Sequence, residues 1–541
     1  MALSEVQALL ADQTAMEKDR PTWEANWQEI CEFMDPQQAD FYGTKTPGQK
    51  RSQKIFDSTA PVALERFAAI MESILTPQPS VWHRLKPQEG AAEPGSPFAR
   101  WLDQVNQLLY DYRYSPAANF SSQQHQNYRG LGSIGTASLY VDAAPGYPLR
   151  YRSCHMSEIY IAQTSWGDID KVNRKFKLQA RQVLQDYKRH GDEIPDKIRT
   201  TAEHNPLQEF TFLHCVDPNE ERDRNRPDHR GMPWRARTVC LDTNTVVRRG
   251  GFRTFPWMVS RYTLATREVY GRSPGWMALA DTKTLGRAAK SRLRQWDREL
   301  DPAWATAEDV YTIKQQPGAV NPGLLDEQTG RLKAVPLNPN ARFDIDAAVT
   351  EQLRGVVNDI FLITLFQILV DSPQMTATEV LERAREKGAL TAPVMARQQS
   401  ECLGPLIARE FDLLAFQNLL PEPPAEVLES GLQYQIDYVS PLATAAKAES
   451  GLSVMRAIDG LLPISERVPD IWDNFDTDDM ARTYAESVGL KQSSIVSADI
   501  VAQRRQQRAQ QQAMQEMAAA APGLGSAVKD VAQAEQIATG A

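Results

Sequence analysis

From Glu268 to Leu419 the chain alternates long amphipathic helices with short breaks rich in proline and glycine, and this order constrains the fold more than any single motif. At 100° per residue, Lys283, Arg287, Lys290, Arg294 and Arg298 fall within about 80° of one another, while Leu285, Ala288, Ala289, Leu293 and Trp296 occupy the far side. The spacing predicts a helix with one basic face and one packing face, ended by Asp301-Pro302. The stretch up to Arg342 carries Pro317, Gly318, Pro322, Gly323, Gly330, Pro336 and Pro339 around a short strand expected at Val310 to Lys314, a compact insert. Asp344 opens a second helix, with Val349, Leu353, Val356 and Ile360 forming its apolar stripe. Gln367 to Met375, containing Pro373, breaks that helix. Thr376 and Glu379 then make a capping box for a further helix running towards Leu419, with a bend expected near Gly388, Pro393 or Gly404-Pro405.

Upstream, Leu3 to Phe33 places Val6, Leu9, Leu10, Trp23, Trp27, Ile30 and Phe33 at spacings of three and four, which predicts two helices around a break at Pro21. Asp57 to Thr76 and Pro97 to Arg113 repeat the helical period, so the first 130 residues read as mainly α. The period then falls to two. Ser138–Asp142, Glu158–Gln163, Phe210–Val216, Ala236–Asp242 and Phe255–Tyr262 are expected as strands, interrupted by a helix from Leu178 to His190. Past Pro421 a strand is expected at Gln433 to Val439. Helices follow around Ser450–Ile458, Asp478–Val488 and Ser497–Ala521, the last rich in Gln and Ala with Arg504, Arg505 and Arg508. The fold class is therefore α+β, mainly α.

A chain of 541 residues exceeds the roughly 250 to 300 residues at which a single core stops growing, so several structural regions are expected. Its net charge of −9 disfavours a global DNA-coating role and confines any nucleic-acid contact to local patches. Met1 to Arg20 is polar, so no secretory leader is expected. The longest apolar run, Ile360 to Val370, falls short of the roughly 20 residues that span a bilayer, and reads as a buried helix end.

No constellation of catalytic groups emerges. Cys31, Cys154, Cys215, Cys240 and Cys402 are widely spaced and read as reduced, buried thiols. His214-Cys215 and Cys154-His155 are adjacent pairs, whose side chains point to opposite faces of a strand. Asp473, Asp476, Asp478 and Asp479 lack the spacing and glycine of an EF-hand and are assigned to helix capping. Neither a G-x-x-x-x-G-K-S/T loop nor an H-E-x-x-H helix is present, so no cofactor or metal is expected and the chain has no motor of its own. Charge laid along a helix face favours a pore-forming subunit over an enzyme.

An ordered set of short motifs completes this picture: Asp57-Ser58-Thr59, Leu75-Thr76-Pro77 with Trp82, Pro256-Trp257, Arg261-Tyr262, Glu268, Tyr270-Gly271-Arg272-Ser273-Pro274, and Met375-Thr376-Ala377-Thr378-Glu379-Val380. In this order, between Glu17 and Leu419, the chain resembles the portal proteins, the head-to-tail connectors of short-tailed bacteriophages. The resemblance implies a ring of twelve subunits at one capsid vertex, assembled in the host cytoplasm and then part of the virion, with a channel for double-stranded DNA. It implies a wing at 1–272, including a β-rich part at about 131–265, and a stem of two helices, 273–300 and 344–366. It further implies a clip at 301–343, a channel loop at 367–375, a long wing helix at 376–420 and a crown with its tail at 421–541. Implied partners are a terminase (the packaging ATPase) docking on the clip, major capsid and scaffolding proteins, and tail adaptor proteins, with no membrane.

Within that frame the DNA-channel candidates are Lys283, Arg287, Lys290, Arg294 and Arg298 on the stripe, with Gln367, Asp371, Ser372 and Gln374 in the loop. Basic side chains suit weak, salt-dependent contacts to phosphates, which let DNA slide. The same side chains equally suit pairing with Asp346, Glu351 and Asp359 of an adjacent subunit, or plain solvation. The loop is equally a candidate for a plain connection between helices. Other readings of the whole chain are an internal ejection protein, a tail adaptor, or a capsid-maturation enzyme.

Overall fold

The first helical pattern resolves into α1 (Glu5–Lys18), capped by a reciprocal Ser4–Gln7 box, and α2 (Arg20–Met34). The break falls at Asp19 and not at Pro21, because a proline's missing N–H costs nothing in the first turn of a helix. The computed structural model describes residues 4–42, 46, 48–88, 95–187, 192–306, 308, 310, 312–314, 316, 318–325, 329–336, 343–364, 392–425, 427, 434–439, 441–465, 469–487, 490, 494–497 and 500–515. The chain is α+β with helix predominating. It divides into two compact units, one of Met1–Pro79 with Tyr112–Gln417 and one of Ser80–Asp111 with Asn418–Ala541. Among the described residues, no helix is long and apolar enough to cross a membrane.

The larger unit begins with α1, α2 and α3 (Thr59–Leu75), whose buried face is Ala60, Ala63, Leu64, Phe67, Ala68, Met71 and Leu75. After β1 (His83–Pro87) and α4 (Pro97–Arg113), which lie in the other unit up to Asp111, comes α5 (Phe120–Ser133), a helix without a continuous apolar stripe. Its buried face is partly polar, with Gln124, Asn127 and Ser133 beside Phe120, Tyr128 and Leu131, and Gly132 sets its approach to α3. A Cβ there would sit 2.6 Å from Leu64 Cδ1 and 2.8 Å from Phe67 Cδ1.

Two antiparallel sheets follow. The first orders β3 (Tyr147–Cys154), β2 (Thr136–Ala144) and β9 (Trp257–Arg261); the second orders β4 (Ile159–Gln163), β5 (Ile169–Gln179), β6 (Glu209–Pro218), β7 (Trp234–Cys240) and β8 (Thr245–Phe252). The five expected strands all form, and β3, β5 and β8 join them. β5 is charged, and its lysines meet the acids of α1: Lys171 lies 2.6 Å from Asp12 and Lys175 lies 3.1 Å from Glu17. The helix expected from Leu178 is shorter, since Leu178 and Gln179 still pair with β6. It is replaced by α6 (Ala180–Asp186), and α7 (Asp196–His204) follows. Across the second sheet, Gln163 pairs with Ile169, Pro218 with Trp234, and Trp234 with Phe252, so the β4–β5 turn and the end of β8 lie at the same end of the sheet on opposite edges. The sheets share a core around Trp27, Ile159, Val172, Val216, Trp257 and Tyr270.

Helix α8 (Pro274–Leu300) matches its expected bounds. The insert after it holds a short antiparallel pair, β10 (Trp304–Thr306) with β11 (Ala334–Pro336). The strand expected at Val310–Lys314 does not form in its described residues: the main chain of Lys314 is bonded by the side chain of Asn321 instead. α9 (Phe343–Ile360) stops before Leu362, which takes a φ of 62°. Phe361 and Ile363 just past it are buried; the rest of the apolar run, from 365, lies outside the described residues. Its buried face is Thr350, Val357 and Phe361, one position along from the expected stripe, and Val349 and Val356 stay exposed. Residues 392–398 are helical, Gln399–Leu403 form a π turn, and Gly404–Phe416 continue as an α-helix. The extra residue of the π turn sits where a bend was expected, immediately before Gly404-Pro405. The helix ends at Phe416 and not Leu419, as Asn418 adopts a left-handed φ of 55°.

In the smaller unit β1 pairs with the strand Tyr434–Tyr438, as the alternation at Gln433 to Val439 predicts. The Asn106 side chain of α4 accepts from Leu85 N at 2.8 Å and donates to Leu85 O at 3.1 Å, completing the free edge of β1 as a third strand would. Trp101 Nε1 donates to Pro421 O at 2.9 Å. The helix Pro441–Ser465 packs on the helix Thr477–Ser487, whose first turn is capped by Asp476: its Oδ1 accepts from the main chain of Asp478 and Asp479, both at 3.0 Å.

Candidate functional site

The base of α8 is held by a cap, a backbone crossing and an ion pair. Ser273 caps the helix: its hydroxyl accepts from Trp276 N at 2.9 Å and donates to Ser133 O at 2.7 Å. Pro274 fills the first turn. Just upstream, Gly271 N donates to Thr136 Oγ1 at 2.8 Å, and a Cβ on Gly271 would lie 2.5 Å from Gly135 O. Gly135 has a φ of 90° and would place a Cβ 2.5 Å from the Arg272 carbonyl carbon. Two backbones cross here at a distance only glycine allows. The Tyr270-to-Pro274 motif is thus a structural joint, and Glu268 adds an ion pair to Arg272.

Tyr270 belongs to the same joint. Its hydroxyl accepts from Arg20 Nη1 at 2.9 Å, and the Arg20 guanidinium lies 4.9, 4.4 and 5.0 Å from the ring centres of Trp27, Tyr160 and Tyr270. Arg20 also donates to the carbonyls of Ile159 and Met156 and pairs with Glu24. A fully buried arginine is tolerable only with several such partners. Its sequence signal, an Arg-Pro before an aromatic helix face, is too common to be read in advance.

A second joint holds α9 to α3. Arg354 reaches Asp57 at 2.8 Å, and Asp57 Oδ1 accepts from Thr59 N at 2.9 Å, so the Asp57-Ser58-Thr59 motif both starts α3 and holds α9. Burial raises the Asp57 carboxyl, but hydrogen bonds from Thr59 and Arg354 outweigh it and hold the group below the usual carboxylate range. α8 and α9 meet through Arg292, which donates to Thr350 Oγ1 at 3.0 Å.

Beyond these anchors most residues of the distal half of α8 are exposed. Lys283 pairs with Glu29 and sits 5.7 Å from the Phe33 ring, and Lys290 lies 4.9 Å from the Phe56 ring. Arg287, Arg294 and Arg298 are exposed and, among the described residues, have no ion-pair partner. Glu351 is spent on Arg354 at 3.5 Å and Asp359 is exposed; the side chain of Asp346 lies outside the described residues. The far face does not pack as expected: Leu285 is buried, but Leu293 and Trp296 are 46% and 50% exposed. Gln367, Asp371, Ser372 and Gln374 lie outside the described residues.

His214 and Cys215 sit on opposite sides of β6, and His155 lies just past the end of β3. Cys215 packs under Leu9, Leu213 and Val239, while His214 Nδ1 faces Thr238 Oγ1 at 3.0 Å. Burial pushes the Cys215 thiol up to about 12 and the His214 imidazole down to about 4, the reverse of an activated nucleophile and base. His155 is held between Gln38 O and Ser157 Oγ, and Cys154 packs into the shared core.

Compared with known families, residues 6–496 match the family described as bacteriophage head to tail connecting protein. The chain belongs to that family. Among its relatives, a probable portal protein of Bordetella phage BPP-1 is 28% identical over 544 residues, covering 97% of this chain and 95% of the relative. A portal protein of Salmonella phage epsilon15 is 27% identical over 540 residues, covering 97% and 94%. As a head-to-tail connector the chain is a structural subunit of the phage particle and not an enzyme.

Proposed function

We propose that this connector assembles as a ring of twelve subunits at one capsid vertex, where its channel carries double-stranded DNA during packaging, retention and ejection. The observation that carries the reading is the family match along residues 6–496. Support comes from α8 and α9, which are pinned at their bases yet leave Leu293, Trp296, Val349 and Val356 exposed in a single subunit, an apolar ridge suited to a neighbouring copy. In this reading 1–272 form the wing, 273–300 and 344–366 the stem, 301–343 the clip, 367–375 the channel loop, 376–420 the long wing helix and 421–541 the crown with its tail. The subunits assemble in the host cytoplasm with capsid and scaffolding proteins. Terminase docks on the clip and is later replaced by tail adaptors.

Arg287, Arg294 and Arg298, with Lys283 and Lys290 beside them, are the proposed DNA-facing cations of the stem, and Gln367, Asp371, Ser372 and Gln374 are the uncharged or acidic loop residues proposed to touch the duplex. Mobile, salt-dependent phosphate contacts fit a channel in which deep binding wells would stall movement. Negative-stain imaging of the purified protein tests the assembly, with rings of twelve in top view expected. Monomers alone under assembly-permissive conditions, together with no ring in virions, would overturn it. Replacing Lys283, Arg287, Lys290 and Arg294 with Ala should leave rings intact and alter packaging or DNA retention; loss of rings would instead assign the stripe to contacts between subunits.

A further inference from the structure

The β4–β5 turn presents Trp166 at 92% exposure, the largest apolar side chain so fully in water among the described residues. The turn beneath it is built to hold that position. Thr164 N donates to Asp168 O at 2.8 Å, Gly167 N to Thr164 O at 3.0 Å, and Gly167 takes a φ of 94°. Arg261 Nη2 donates to Gly167 O at 2.9 Å, and Arg261 is itself held by Glu401 at 2.8 Å and by Gln163 Oε1 at 3.0 Å. An exposed indole on a held turn is the kind of anchor that dominates protein interfaces, since it brings much apolar area and the backbone beneath it has no freedom left to lose on docking.

At the same end of the sheet but on its opposite edge lies a cavity of ≈ 430 Å³, walled by Ala144, Pro145, Met232, Phe252, Leu413 and Phe416. Four strand spacings separate the two features, about 19 Å. Phe416 is 65% exposed at the rim, with the guanidinium of exposed Arg253 at 5.3 Å from its ring centre. The Asp412 carboxylate on the wall offers an acceptor for an indole N–H. Asp168, exposed beside Trp166, is complementary in charge to Arg253.

The geometry points to a knob-into-hole contact between neighbouring copies of this chain: Trp166 of one subunit enters the cavity on the β8 edge of the next, with Asp168 against its Arg253. A projection on one edge and its receptor on the other make a heterologous contact, the kind that closes into a ring when repeated about an axis. The inference rests on the ring reading above and locates one of its contacts.

The five native cysteines are all buried, so introduced surface thiols report selectively. Chains carrying Trp166→Cys are mixed with chains carrying Phe416→Cys, assembled, and treated with a short bismaleimide. Covalent dimers are expected from the mixture and not from either variant alone, and a chain carrying both substitutions should yield a ladder up to the full ring. Trp166→Ala should raise the protein concentration for half-maximal assembly by about tenfold or more. Asp168→Lys should raise it less, and combining it with Arg253→Asp should recover most of the loss. Rings that form without cross-links, or cross-links equally strong within one variant, overturn the contact while leaving the ring reading standing. Absence of any oligomer of the unmodified chain overturns both.

Discussion

The β-rich body and the distal half of α8 both carry many arginines, yet they use them in opposite ways. In the body, Arg113 pairs with Glu410, both fully buried and joined by the Tyr151 hydroxyl at 2.6 Å from Glu410. Arg261 is bound to Glu401, and Arg409 to Asp142 at 3.0 Å and to Thr254 Oγ1 at 3.1 Å. Arg261 and Arg409 fix residues 398–416 to the sheets and Arg113 ties Glu410 to the end of α4, so each of these three cations has an architectural partner. On distal α8, Arg287, Arg294 and Arg298 stand in water. The abundance of charge therefore says little about role. Burial and pairing separate the cations that hold the fold from those left available for contacts outside the chain.

This contrast is open to test. The largest effect is expected from Glu410→Ala, which strands Arg113 without its counter-charge and should cost about 3–5 kcal/mol by urea denaturation. A shift comparable to that of a surface site would remove the pair from its structural role. Gly135→Ala comes next, since the left-handed backbone and the 2.5 Å approach to Arg272 leave no room for a methyl group. It should destabilise by about 1–3 kcal/mol and loosen the base of α8, read as faster amide exchange in its first turns.

Asp57→Asn should cost about 1 kcal/mol at neutral pH, by weakening the start of α3 and the hold on Arg354. The pH dependence has a definite sign. A carboxyl held low in the folded state contributes its stability above the unfolded value, near 3.9, and loses it as pH falls through the lower folded value. The gap between wild type and Asp57→Asn should therefore narrow below about pH 4. A gap that stays constant down to pH 2 would remove the charge from the joint. The smallest stability effect belongs to Arg287→Ala, Arg294→Ala and Arg298→Ala, each within about 0.5 kcal/mol. If they face DNA, each lost phosphate contact should flatten the salt dependence of duplex binding by about one unit of slope.

Much of the fold was legible because helix and strand periods are local. The bounds of α3, α4 and α8 follow from apolar spacing with proline, aspartate and serine at their ends, and alternation located six of the strands. β5 escaped because its lysines are matched by Asp12 and Glu17 of α1, some 160 positions earlier in the chain. α5 escaped because the face it buries is partly polar, with Gln124, Asn127 and Ser133 among its buried residues. The break at Asp19 was misplaced because proline ends one helix and suits the start of the next equally well.

By itself, then, the sequence determined the helix, insert, helix order, the basic face of α8 and the motifs that join this chain to the head-to-tail connectors. Tertiary structure alone decided that the Tyr270-to-Pro274 motif is a backbone crossing, that Arg20 is buried among aromatic rings, and that Ser80–Asp111 folds with Asn418–Ala541. It also decided which cations are spent and which remain exposed. The physical reason is range: periodicity is set by neighbours three or four residues apart, whereas the partner of a buried charge or a close glycine is chosen by packing across hundreds of residues.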